Sequence, residues 1–215
     1  MISKRICEIA QLIKPYKKIA DVGCDHGYLI LEAFNNANIT SAIAIDNKSG
    51  PLDSAVKNLH KYNFNVRFSL SSGVSDIDSD VEVVIISGMG GLLIIKILAD
   101  DILNENKLSN VKRLILQANR NNYQLRSFLM ENNYQITDEK IVFEDEKYYE
   151  IIVSEKVKKN VNYTLDELLF GPVLLKKREK IFIEKLQSEL MKLKKIDTDS
   201  LEVKEKIERL EKIIC

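Results

Sequence analysis

Cysteine is scarce in this sequence of 215 residues. Cys7, Cys24 and Cys215 are odd in number, far apart and without CxxC spacing, which excludes the usual zinc clamp or redox pair and fits reduced thiols in a cytosolic protein. Net charge is missing as well, since 32 Lys and Arg balance 32 Asp and Glu. A chain so balanced does not hold nucleic acid by bulk electrostatics alone. No stretch approaches the roughly 18 uninterrupted apolar residues of a membrane-spanning helix. The opening residues, MISKRICEIA, offer neither the apolar core nor the small-residue cleavage site of an export signal. A cytoplasmic chain is expected, with no membrane, no export and no metal.

There is ample material for a core, because 45% of the residues are hydrophobic, an ordinary share for a globular domain. The length allows one α/β unit of about 150 residues with a small appendage. Short β-rich runs alternate with helical patterns up to residue 157, which predicts a parallel sheet covered by helices. Strands are expected at Lys18–Val22, Ser41–Asp46, Val66–Leu70, 81–87 and 113–117, and helices at 28–35, 51–62, 92–104 and 123–132. All of these strands but Val66–Leu70 are almost wholly apolar between their ends, as strands buried on both faces are. Tyr134–Glu144 and Lys147–Lys156, parted by Asp145-Glu146, predict an antiparallel hairpin that closes the sheet.

Near 158–162 the pattern changes. Phe182, Leu186, Leu190 and Leu193, then Val203, Ile207, Leu210 and Ile214, form two apolar stripes at helical spacing, with a turn expected over 196–200. Two domains are therefore expected, 1–157 and 158–215, the second an antiparallel helical coiled coil. From residue 158 onward fourteen Lys and Arg stand against eleven Asp and Glu, and before it eighteen against twenty-one. That mild asymmetry permits an RNA partner without requiring one.

The sharpest local signal is DVGCDHGYL at 21–29, where the first strand ends and the first helix begins. Glycines there let the backbone turn tightly and approach a ligand, and the helix start offers free N–H groups, so a nucleotide-like cofactor is expected at this edge. Gly23 and Gly27 are spaced Gly-xxx-Gly rather than GxGxxG, which disfavours a nicotinamide dinucleotide. The same glycines also suit an ordinary strand-to-helix turn. Asp46 closes the second strand 25 residues after Asp21, where an acid accepts from both hydroxyls of a ribose, a role compatible with capping the next helix. Ser72-Gly73 follows the third strand at the place of an adenine contact. Ser87-Gly88-Met89-Gly90-Gly91 follows the fourth, where glycines open backbone access to a crevice. Gln117, Asn119, Asn121 and Asn122 put amides at the same rim, although runs of Asn also mark plain turns.

Taken in order, DVGCDHGYL (21–29), AIDNKSGPLDSA (44–55), ISGMGG (86–91), LILQANRNNYQLRSFL (114–129), FEDEKYYEIIV (143–153) and LLFGPVLL (168–175) resemble, over essentially the whole chain, the bacterial tRNA adenine-22 N1-methyltransferase family. The resemblance implies the α/β class: a Rossmann-like methyltransferase sheet, parallel with an antiparallel C-terminal hairpin, followed by a coiled coil. It implies S-adenosylmethionine as methyl donor and N1 of an adenine in the D-arm region of tRNA as acceptor. There are two departures, a less glycine-rich and less polar loop at 70–74 and Ala118 where the family leads one to expect proline.

Cofactor contacts are then expected from Asp21, Gly23, Cys24, Gly27, Asp46, Asn47, Ser72, Gly73, Gly88 and Met89. A methyl sulfonium is already activated, so the protein must mainly align N1 with the S–CH₃ bond and exclude water. N1 becomes cationic on methylation, and a nearby carboxylate would stabilise that charge or later take a proton from the exocyclic amine. Asp25 is the candidate for this, with His26 second. Asn119, Arg120 and Tyr123 are expected to line a pocket for the exposed base, and Lys176, Lys177 and Arg178 to meet phosphates. A monomer or weak dimer is expected. On the residues alone two other classes stay open: a methyltransferase acting on another RNA, a small molecule or a protein, and a non-catalytic helical adaptor.

Overall fold

The computed structural model describes residues 2–195 and 200–215. Among them a seven-stranded sheet is built from β1 (Lys18–Val22), β2 (Ser41–Asp46), β3 (Val66–Leu70), β4 (Val83–Met89), β5 (Arg113–Ala118), β6 (Tyr134–Glu144) and β7 (Lys147–Lys156), in the order β3-β2-β1-β4-β5-β7-β6. The first five are mutually parallel, and β7 runs antiparallel to both β5 and β6. The expected strands and closing hairpin are all present. β4 differs most from expectation: Val81 packs in the core as part of a turn, and the strand continues to Met89 through a register shift after Ser87.

Alternate residues of the central strands serve opposite faces. Val83, Ile85 and Ile115 pack with Ile9, Ile30, Ala55 and Leu59 beneath α1 (Lys4–Gln11), α2 (Tyr28–Glu32) and α3 (Ser49–Leu59). Val84, Ile86, Leu114 and Leu116 pack on the other face with Ile94 and Leu98 of α4 (Gly91–Asp100) and Leu125 and Leu129 of α5 (Asn122–Glu131). Each such side chain contributes about 1.5–3 kcal/mol when fully buried, so these positions decide which face each helix covers. The chain steps outward from β1 to β3 and then restarts at β4 on the other side of β1. That reversal opens a crevice at the carboxyl ends of β1 and β4.

Among the described residues four α-helices follow the hairpin: α6 (Leu165–Phe170), α7 (Pro172–Lys177), α8 (Lys180–Leu193) and α9 (Leu201–Ile214). Thr164 starts the first of them with a capping box, its Oγ1 accepting from the Glu167 amide at 3.3 Å while Glu167 Oε2 accepts from the Thr164 amide at 2.7 Å. Lys206 pairs with Glu189 at 2.6 Å and Arg178 Nη1 donates to the Ile213 carbonyl at 2.7 Å, which lays α9 back along α8. The apolar seam of this pair is shared: Phe182, Leu186, Leu210 and Ile213 close on Ile141, Phe170 and Leu174. The two helices therefore cover part of the sheet's hairpin as well as each other. The turn expected over 196–200 lies, except for Ser200, outside the described residues.

A buried ionic cluster fastens these helices to the sheet. Arg126 of α5, fully buried, donates from Nε to Glu139 Oε1 at 2.9 Å and from Nη2 to Glu150 Oε2. Lys185 of α8 meets the other oxygen of Glu150 at 2.9 Å, and the second oxygen of Glu139 accepts from the Val173 and Leu174 amides of α7. Burial alone would raise the Glu150 carboxyl, but the Lys185 and Arg126 cations outweigh it and hold it down at about 2.

Candidate functional site

The turn leaving β1 is held against the end of β2. The amides of Gly23 and Cys24 both donate to the Ile45 carbonyl, at 2.8 and 3.0 Å, and the Asp25 amide reaches Asp46 Oδ2 at 3.4 Å. The backbone is left-handed at Gly23 (φ +79°), Asp25 (+46°) and Gly27 (+72°). A Cβ at Gly23 would stand 2.3 Å from Met89 Cε, and one at Gly27 would stand 2.9 Å from Leu59 Cδ1. Gly27 thus serves the packing of α3, and Gly23 admits the β4 loop into the crevice. Both glycines serve the packing of the turn, against different neighbours.

Three carboxylates surround this turn. Asp21 is buried beneath it; burial pushes its carboxyl up to about 7, and Asp46 and Asp25 push the same way. Asp46 ends β2 nearly buried, with Oδ1 accepting from the Lys48 amide at 3.0 Å. Burial and the same acids raise the Cys24 thiol, which stays protonated. Asp25 is exposed, its Oδ1 3.7 Å from His26 Nε2, and the His26 ring lies 5.7 Å from that of Tyr28. Asp46 on the wall of the adjoining cleft, with Asp25 and the partly ionised Asp21 behind it, suits a cationic ligand.

The cleft has a volume of about 710 Å³ and is lined by Gly23, Asp46, Asn47, Ser72, Gly73 and Met89 among others. That is the size range of small-molecule sites. Asp21, Cys24, Gly27 and Gly88 are not on its wall and act from behind or beside it. Gly73 (φ +60°) turns the chain under Ile97, toward which a Cβ would point at 3.2 Å. Lys96, Ile97 and Asn104 also line the cleft. No local pattern marks them, because only the docking of α4 and of the segment 101–105 after it brings them there.

On the far side of Met89, the ends of β4 and β5 are latched together. Gln117, fully buried, accepts from the Gly88 amide at 3.1 Å through Oε1 and donates from Nε2 to Asn119 Oδ1 at 3.2 Å. Asn119 Nδ2 donates to the Gly88 carbonyl at 2.8 Å, and the Asn119 amide donates to the Met89 carbonyl at 2.8 Å. The Asn119 side chain is therefore first a fastener of the Gly88 loop. Arg120 and Tyr123 are exposed beside it, and a Cβ at Gly91 would meet the Arg120 and Asn121 carbonyls at 2.8 Å.

The basic trio of the tail is not brought to this rim. Lys177 pairs with Asp138 at 2.6 Å in a hollow shared with Arg113, at the opposite end of β5 from Asn119. Arg178 is engaged with the Ile213 carbonyl and Lys176 is exposed next to it. Among the described residues no group of His, Cys, Asp or Glu is arranged to hold a metal ion, and no helix is long and apolar enough to cross a membrane.

Comparison with known proteins gives one consistent result. The profile of the TrmK family, tRNA (adenine(22)-N(1))-methyltransferase, matches residues 19–214. The tRNA (adenine(22)-N(1))-methyltransferase of Bacillus subtilis (strain 168) is 34% identical over 196 residues, covering 88% of this chain and 81% of the relative. A Streptococcus pneumoniae protein solved in complex with S-adenosyl-L-methionine superposes with a TM-score of 0.92 at 35% identity, over 100% of both chains. TrmK of M. capricolum, solved with S-adenosyl-homocysteine, superposes at 0.84 with 28% identity, over 100% of this chain and 98% of that one. Fold, cleft and sequence agree, and the chain belongs to the TrmK family of tRNA (adenine(22)-N(1))-methyltransferases.

Proposed function

We propose that this chain transfers the methyl group of S-adenosylmethionine to N1 of adenine 22 of tRNA. The observation that carries this is a cleft set between a glycine turn, a strand-ending acid and a latched acceptor rim, in a chain that matches the family over residues 19–214. When bound, the cofactor supplies an activated methyl on a sulfonium. Asp46, its charge steadied by the Lys48 and Asp25 amides, accepts from the ribose hydroxyls. Ser72 and Gly73 border the adenine end, and Gly23, Asn47 and Met89 complete the wall. The cleft fits the group: a missing Cβ at Gly23 leaves Met89 room, and the three carboxylates suit a cation. Asp21, Cys24 and Gly27 hold the turn from behind.

Because the methyl is already activated, the residues' task is alignment and exclusion of water. The Gln117–Asn119–Gly88 latch keeps the acceptor rim rigid, while the Asp25 carboxylate, with His26 beside it, stabilises the charge that develops on N1. Arg120 and Tyr123 face the exposed base. Residues 1–157 form the catalytic unit and 158–215 a helical unit, its last two helices a short antiparallel coiled coil. The tRNA is the partner, Lys176 reaches its phosphates more readily than the engaged Lys177 and Arg178, and the chain works in the cytoplasm as a monomer or weak dimer.

Family membership favours this over the small-molecule, protein and adaptor readings. Incubation with labelled S-adenosylmethionine and unmodified tRNA, followed by nucleoside analysis, is expected to yield 1-methyladenosine, lost when adenine 22 is replaced by guanine. No transfer, or another methylated nucleoside, would refute the reading. An Asp25→Ala variant with wild-type cofactor affinity and wild-type turnover would remove Asp25 from its role.

A further inference from the structure

The β6–β7 hairpin is longer than the sheet it closes. β5 pairs with β7 only as far as Gln117 opposite Ile151, whereas β6 and β7 remain paired to Glu144 opposite Lys147. Residues 147–150 of β7 therefore run on for about 13 Å at ~3.3 Å per residue, with no strand beside them on the β5 side among the described residues. In the place where β5 would have continued lies a groove of about 580 Å³, with Asn119 at its inner end and Tyr148 and Tyr149 along it. Arg5 of α1 forms one wall, its guanidinium 4.6 Å from the centre of the Tyr149 ring. Lys185 and Lys192 of α8 form the other, and Lys147 stands at the mouth.

Four cations line this groove against two acids, in a chain with no net charge. One of those acids, Glu189, is already paired with Lys206 and Lys185, and Lys185 is itself committed to Glu150. The charges left without an ion pair among the described residues are Arg5, Lys147 and Lys192 against Glu146, beside two half-buried tyrosines, of which Tyr149 carries Arg5 on its ring and Tyr148 leans on the helical core. Basic side chains interleaved with aromatic ones are the chemistry that holds an unpaired nucleic-acid strand, through phosphates on one side and base faces on the other. The inner end is not an arbitrary point. Asn119 holds the Gly88 carbonyl, so a strand in the groove ends against the loop that carries Met89 into the cofactor cleft.

We infer that this groove receives the strand of tRNA that flanks the methylated adenine, a role that rests on the reading of the chain as a tRNA methyltransferase. The groove sets the approach of the base, and the projecting hairpin is the guide. A Lys147→Ala/Lys192→Ala double variant tests it, since both side chains are exposed. KM for tRNA is expected to rise at least about fivefold, and the slope of log affinity against log salt to flatten by about 1.4, the share of two phosphate contacts on an unpaired strand. kcat at saturating tRNA and S-adenosylhomocysteine affinity should stay at wild type. A Lys57→Ala/Lys61→Ala control, on exposed positions at the other end of the sheet, should leave tRNA affinity unchanged. Wild-type affinity and slope in the groove variant, or an equal loss in the control, would overturn the assignment. So would a polyglutamate peptide that binds the wild type and loses affinity in the variant while tRNA does not, which would give the groove to an acidic protein. A wild-type enzyme inert on tRNA would instead sink the reading beneath it.

Discussion

Replacing Gly23 by alanine strikes the joint between the two halves of the cleft. Two independent strains arise: a left-handed backbone at φ +79° that alanine resists, and a Cβ placed 2.3 Å from Met89 Cε. The first costs about 1–2 kcal/mol, and the second, relieved by swinging a flexible methionine off its rotamer, about 0.5–1.5 kcal/mol. The sum is about 2 kcal/mol. If the turn keeps its shape the loss falls on folding, lowering Tm by about 4–8 °C for a chain of this size. If the turn relaxes instead, the loss falls on the ligand, about 30-fold in Kd. Differential scanning calorimetry and titration with S-adenosylhomocysteine measure both, and adding Met89→Ala should recover the steric share while leaving the backbone share. Unchanged Tm together with unchanged affinity in Gly23→Ala would refute the reasoning.

Asp46→Asn keeps the shape but loses the charge that two backbone amides share and that the proposed ribose contact needs, so S-adenosylhomocysteine affinity should fall by about 1.5–3 kcal/mol in titration calorimetry. Asp21 titrates near 7 when folded against an ordinary value of 3.8, so the folded state holds the extra proton and stability to urea should decline as pH rises from 6 to 8. The same ionisation favours a cationic ligand: S-adenosylmethionine should bind more tightly at pH 8 than at pH 6, and Asp21→Asn should flatten both trends. Arg126→Met leaves Glu139 buried without a counter-charge and Glu150 with Lys185 alone, and is expected to cost about 3–5 kcal/mol by urea denaturation.

Much of this molecule is written in its residues. The central strands announce themselves because burial on both faces demands unbroken β-branched runs such as Val83 to Ile86, and the turn after β1 does so because glycine best suits the φ of Gly23 and the closeness of Gly27 to Leu59. What stayed hidden depends on partners distant in the chain. α1 spans eight residues and mixes Lys4, Arg5 and Glu8 with its apolar positions, too short a pattern for its period to show. The cleft wall of Lys96, Ile97 and Asn104 exists only once α4 docks. No local pattern separates Arg126, Glu139, Glu150 and Lys185 from the many charges that face water. The stripes of α8 and α9 were plain, yet nothing in their spacing told that Ile141 and Phe170 would share the seam.

The ring of acids about the first turn has a consequence for turnover. In the proposed complex the positive charge moves with the methyl group, from the sulfur of S-adenosylmethionine to N1 of the adenine, and the thioether left behind is neutral. On that reading Asp46 and the ionised fraction of Asp21 hold the spent cofactor less tightly than its precursor, which eases its departure, while Asp25 faces the charge now on the base.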